Sequence, residues 1–110
     1  MFLFETVTEL NNYVNDLLSD DNELSSLSVS GEISGFKKYP SGHCYFSIKD
    51  DESVVSCVMF STNAYRLDFV PTDGMLVNVS GKAGIYSKTG KYQLYISSMS
   101  VKGKGNLHEQ

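Results

Sequence analysis

Residues Val29 to Phe60, VSGEISGFKKYPSGHCYFSIKDDESVVSCVMF, constrain the fold more than any other part of the chain. Three alternating runs are separated by two turn-forming clusters, a period-two pattern that suits strands. Strand one spans about Leu27–Phe36, with Val29, Gly31 and Ile33 on one face. Gly31 and Gly35 mark a strong bend or bulge. Lys37–Gly42 form a turn punctuated by Pro40-Ser41-Gly42. Strand two, His43–Lys49, alternates His43, Tyr45 and Ser47 with Cys44, Phe46 and Ile48. Asp50-Asp51-Glu52-Ser53 then turns the chain into strand three, Val54–Phe60. One face of this hairpin is apolar. The other carries rings and cations, which suit the bases and phosphates of a single nucleic-acid strand.

The flanking segments extend the pattern. Residues 4–20 read as a helix, because Val7, Leu10, Val14, Leu17 and Leu18 form an apolar stripe. Thr6 and Glu9 have capping-box spacing. Asp20-Asp21 disfavour a helix C-terminus, so the helix is expected to stop near Leu18 or Ser19. Its stripe is expected to pack on the core or close the bottom of the sheet. Residues 61–69 break the alternation and predict a short helix, capped by Ser61 or Thr62, with Ala64, Leu67 and Tyr65 packed down and Arg66 on it. Strand four, about Met75–Tyr86, has Val77, Val79, Gly81, Ala83 and Ile85 inward, and Asn78, Ser80, Lys82 and Tyr86 outward. A second basic turn, Ser87–Lys91, leads to strand five, Tyr92–Val101. A helix between strands three and four of a five-stranded antiparallel sheet predicts an all-β OB-fold barrel carrying an N-terminal amphipathic helix. The same helix disfavours an SH3-like barrel or an open meander. The expected organisation is a helix and connection over 1–24, the OB-fold domain over 25–102, and the start of a linker over 103–110.

Composition bounds the function classes. At 110 residues and 41% hydrophobic content the chain suits one globular domain with a real core. No apolar run approaches the roughly 18 residues of a membrane span, and the start lacks a signal-peptide pattern. A soluble, cytoplasmic protein without membrane contact is expected. Cys44 and Cys57 fall at inward parities and read as free core thiols. The net charge is −4, but it is segregated: the acids Glu5, Glu9, Asp16, Asp20, Asp21 and Glu23 precede residue 25, whereas Lys82, Lys88, Lys91, Lys102 and Lys104 follow residue 81. Such segregation builds a local positive field on an acidic protein.

Catalytic chemistry finds little support. Asp50, Asp51 and Glu52 occupy adjacent turn positions, so their carboxylates diverge and make a poor Mg²⁺ site. SKTGK lacks the spacing and following helix of a P-loop. No catalytic residue, metal ligand or cofactor site is expected within this chain. The binding constellation is stronger. His43 and Tyr45 project from strand two, and Phe60 shares outward parity with Val58 on strand three. Phe36, Lys37, Lys38 and Tyr39 occupy the first turn. Tyr86, Lys88, Lys91 and Tyr92 flank the second. In an OB fold these turns bracket the face of strands two and three. Lys82 adds a cation on strand four, and Arg66 is expected to clamp phosphate at the groove edge or to pair with Asp68 or Asp73.

The segments TVTELNNYVNDLL, GEISGFK, SGHCYFSIKD, VMF and GKYQLY, in this order and spacing, resemble the N-terminal OB-fold domain of the large subunit of bacterial exodeoxyribonuclease VII. The resemblance covers nearly the whole chain. It implies binding of single-stranded DNA here, degradation of that DNA by a later domain, and a small subunit that joins through the missing part. The chain carries Ser56 and Ser61 where that family commonly has Arg. Two other classes fit the same residues: an RNA-binding module such as a tRNA anticodon-binding domain, and a protein–protein docking barrel that uses its helix and exposed rings.

Overall fold

Alternation of apolar and polar side chains resolves into five strands in a computed structural model that describes residues 1–102. They are β1 (Leu27–Lys38), β2 (Cys44–Lys49), β3 (Val54–Met59), β4 (Leu76–Tyr86) and β5 (Lys91–Val101). Helix α1 (Val7–Asp20) precedes them, and α2 (Ser61–Ala64) lies between β3 and β4. The strands close into a barrel in the order β1-β2-β3-β5-β4. All pairings are antiparallel except β3 with β5, which is parallel. This is the expected OB-fold barrel, with one parallel pairing where an antiparallel sheet was expected.

The inward side chains form one core: Ile33, Phe46, Ile48, Met59, Val77, Val79, Leu94 and Ile96, with both cysteines among them. Each fully buried aliphatic side chain contributes about 1.5–3 kcal/mol. Cys44 and Cys57 are free and buried, as the parity predicts. Burial pushes the Cys57 thiol up to about 12. Burial also raises Cys44, against the opposing pull of the Lys38 charge.

Closing so small a barrel needs points of very close approach. A Cβ on Gly81 would collide with the Tyr95 carbonyl, and the β4–β5 register shifts beside it, between Ser80 and Gly81. The β1–β2 register shifts between Ser34 and Lys37, where Gly35 takes φ 65°. Asp73 fastens this bulge by accepting from the N–H groups of Gly35 (3.1 Å) and Phe36 (2.9 Å). The bulge turns Phe36 towards the core, where its ring lies 5.7 Å from that of Phe46.

Helix α1 departs from expectation. Thr6 caps it as predicted, accepting from the Glu9 N–H at 3.0 Å. It runs to Asp20, beyond the predicted stop, and Asp21 caps the following turn by accepting from Glu23 and Leu24 N–H. No residue of α1 is buried; Val14 and Leu18 are half-covered, whereas Val7, Leu10 and Leu17 are exposed. The reason lies in the sheet. β1 begins opposite Gly81, so β4 beyond that point has no strand on that side. Instead Leu24 C=O accepts from Ala83 N–H (2.8 Å), Asn15 Oδ1 from Ile85 N–H (2.9 Å), and Asn11 Nδ2 donates to Ser87 C=O (2.9 Å). Two asparagines one helical turn apart thus supply partners that a neighbouring strand would supply, which blunts an open edge. The helix is an edge cover, not a core element.

Candidate nucleic-acid interface

Barrel register, not any single strand, assembles the outer face. Lys37 on β1 faces Tyr45 on β2, Tyr45 faces Val58 on β3, Val58 faces Tyr95 on β5, and Tyr95 faces Lys82 on β4. These five side chains share outward parity and form one rung across the sheet. Two rings flank an aliphatic floor, and a lysine stands at each end. Val58 is only 2% exposed although it points away from the core. Its cross-strand partners are the two tyrosines.

Further rings gather around the rung. Tyr39, in the β1–β2 turn, lies 5.1 Å from Tyr45. Phe60, just beyond β3, stands between His43 (5.3 Å, edge-on) and Tyr95 (6.2 Å). The His43 Nδ1 accepts from the Ser61 N–H at 2.9 Å, tying the turn to the start of α2. An accepting Nδ1 carries no hydrogen, so neutral His43 has its proton on Nε2 as a donor. The next rung is different: Ser34, Ser47, Ser56, Gln93 and Gly84 are small or polar. Beyond it, Tyr86 faces Lys91 at the base of the β4–β5 turn.

A family model described as an OB-fold nucleic acid binding domain matches residues 5–100. The chain belongs to this family. The chain is similar to the exodeoxyribonuclease 7 large subunit of Clostridium acetobutylicum, at 47% identity over 104 residues. It is also similar to that of Ruminiclostridium cellulolyticum, at 48% over 103 residues. Each match covers 94% of this chain but 26% of the relative, so the chain spans about a quarter of the length of these curated relatives. Among solved structures, a replication protein A heterotrimer bound to ssDNA matches with a TM-score of 0.59 and 14% identity. That match covers 77% of this chain and 63% of the other. Asparaginyl-tRNA synthetase from Pyrococcus horikoshii matches with a TM-score of 0.55 and 14% identity, over 70% of this chain and 19% of the other. At such identity these two matches show the fold alone.

Against this geometry the sequence-predicted residues of the OB-fold domain divide. Lys37, Tyr39, His43, Tyr45, Phe60 and Lys82 come together. Tyr86 and Lys91 stand two rungs away on the same face. Lys88, in the β4–β5 turn, is exposed. Phe36 leaves the face, because the bulge sends it inward. Lys38 pairs with buried Cys44 and so has the parity opposite to Tyr45. Tyr92 pairs with Ile85 and has the parity of Leu94, opposite to Tyr95. Arg66 lies past the end of α2, which stops at Ala64, and is exposed. The Asp73 carboxylate named as its partner instead holds the bulge. Tyr65, expected to pack down, is 75% exposed and lies beside Gly42 of the β1–β2 turn.

Tyr95 is the residue that sequence reasoning missed. Its alternation with Leu94 and Ile96 marks it as outward, but only the β3–β5 register places it beside Val58. Asp50 accepts from Glu52 and Ser53 N–H, both at 2.8 Å, and these bonds hold its carboxyl below the usual range. Its acidic turn is therefore organised by backbone bonds. Among the described residues no group of three or more His, Cys, Asp or Glu is placed to hold a metal ion, and no helix is long and apolar enough to cross a membrane.

Proposed function

We propose that this domain binds single-stranded DNA without strong sequence preference and presents it to the nuclease of a longer protein resembling the exodeoxyribonuclease 7 large subunit. The rung Lys37–Tyr45–Val58–Tyr95–Lys82 carries the reading. Rings offer stacking to any base, flanking lysines meet phosphates, and a face with no base-pair reader in a groove favours single strands. The likeness to relatives with that name supports DNA as the nucleic acid. On this reading the nuclease chemistry and the small-subunit contacts belong to regions beyond these residues, and the protein works in the cytoplasm.

The test is competition binding among a single-stranded oligonucleotide, its duplex and a tRNA, repeated over a range of salt. The expected order places single-stranded DNA first, with affinity falling as salt rises. Preference for tRNA would move the domain to the RNA-binding class. Equal affinity for duplex, or indifference to salt, would leave the rung without its proposed role. Purified chain incubated with labelled single-stranded DNA and Mg²⁺ should leave the DNA intact.

A further inference from the structure

Beyond the rung, the outer face of β4 and β5 is not flat. A cleft of about 620 Å³ opens there, lined among others by Asn15 and Ser19 of α1, Phe60, Asn63 of α2, Lys82 and Tyr95. Tyr95 therefore belongs to both the rung and the cleft. Gly81 and Gly84 are among the cleft's lining residues. A Cβ on Gly84 would lie 2.7 Å from the Tyr95 ring and 3.1 Å from Asn15 Oδ1. Even one methyl group would press on the ring and the helix. The walls are polar. Asn15 spends its oxygen on Ile85 N–H, which aims its side chain at this edge of β4. Among the described residues, neither Asn15 Nδ2 nor the Asn63 amide makes a hydrogen bond, so both retain donors.

We infer that this cleft is a nucleotide subsite that extends the strand's track past β5, towards α1. It takes one unpaired nucleotide, with its base against the Tyr95 ring, a base edge within reach of the Asn63 amide, and its phosphate at Lys82. This rests on the reading of the face as a single-strand binder and deepens it. Three features support a nucleotide here over a second protein segment. The cleft is lined by the Tyr95 ring, whose Cδ2–Cε2 edge borders Gly84, and an aromatic ring suits stacking with a flat base. The lining is hydroxyl- and amide-rich, and the cleft is continuous with a rung already bounded by a lysine.

The experiment compares the 110-residue chain with Asn63→Ala and Asn63→Leu, which remove the cleft amide without touching the rung, using oligothymidylates that differ in length by single nucleotides. Circular dichroism and thermal melting confirm that each variant folds. Wild type should gain affinity with each added nucleotide until the cleft is filled. Both variants should match wild type within about twofold on the shortest oligonucleotides that bind. They should lack the last gain and end about tenfold weaker on long ones, the usual worth of one well-held nucleotide. Length curves that run parallel to wild type would overturn the cleft subsite while leaving the rung intact. Absence of wild-type binding at every length would overturn the single-strand reading, and the subsite with it. Tyr45→Ala serves as the contrast, with a loss at every length.

Discussion

Two neighbouring rungs of one sheet make opposite uses of the same backbone. In one, Lys37, Tyr45, Val58, Tyr95 and Lys82 line up across five strands. In the other, two residues along each strand and three along the bulged β1, stand Ser34, Ser47, Ser56, Gln93 and Gly84. Both sit on the same core and both pair fully, so neither composition is demanded by the fold. Serines and glycine are poor strand formers, yet their rung forms. The barrel is specified from inside, by Ile33, Val77, Val79 and their neighbours, and the outside is free to carry chemistry. The aromatic rung is the part of the surface that stability alone does not explain.

That contrast is open to attack, and the largest effects are expected in the aromatic rung. Tyr45→Ala and Tyr95→Ala should each weaken single-stranded DNA binding by about 1–3 kcal/mol, one stacking contact, with little change in salt slope. Titrations at several ionic strengths measure both quantities. Normal binding by a folded Tyr45→Ala protein would move the platform elsewhere. Smaller losses, of about 1 kcal/mol, are expected of Lys37→Ala and Lys82→Ala on long oligonucleotides. Each should also make the plot of log affinity against log salt shallower by roughly 0.7, the value of one phosphate contact on a single strand. Lys38→Ala should change the slope less than Lys37→Ala, because its parity is opposite. In the polar rung, Ser47→Ala and Ser56→Ala should stay within about 0.5 kcal/mol of wild type in melting and binding, the range of ordinary surface substitutions. A large loss there would erase the distinction between the rungs.

The smallest effect, none near neutrality, is expected from the thiols beneath. Cys44 and Cys57 should resist a bulky thiol reagent in the folded protein at neutral pH. Because burial lifts the folded Cys57 thiol to about 12, its neutral form is what folding favours. Its contribution is fully present below the ordinary thiol range near 9. Stability should then fall as pH rises from about 9 towards 12, since the unfolded chain releases its proton first. Denaturant melts across that range measure the fall, and a flat profile would contradict the burial of Cys57.

Alternation made the barrel legible in the sequence. Cys44, Phe46 and Ile48 read as inward, and they are; the short helix after β3 identified the fold. Local spacing failed where tertiary partners decide. Period two gives parity along a strand but not which strand lies beside it, so Tyr95 could not be placed next to Val58. The bulge at Gly35 shifted parity by one, which carried Phe36 inward and left Lys37, not Lys38, on the face. The apolar stripe of α1 predicted core packing, yet Asn11 and Asn15 determine how the helix docks. Their signal is invisible until the unpaired edge of β4 is known.

The parallel contact between β3 and β5 has a kinetic meaning. Tyr45 and Val58 meet within one hairpin, and Tyr95 and Lys82 within another, each closed by a short turn. Within the rung, only Val58 with Tyr95 joins the two hairpins, across a long intervening stretch of chain. Closing such a loop costs chain entropy that local hairpins do not, so this seam is expected to form late in folding. Neither hairpin alone carries the complete rung. A partly folded molecule therefore cannot grip a strand in the native manner, and a bound strand, by spanning the seam, holds the barrel shut by mass action.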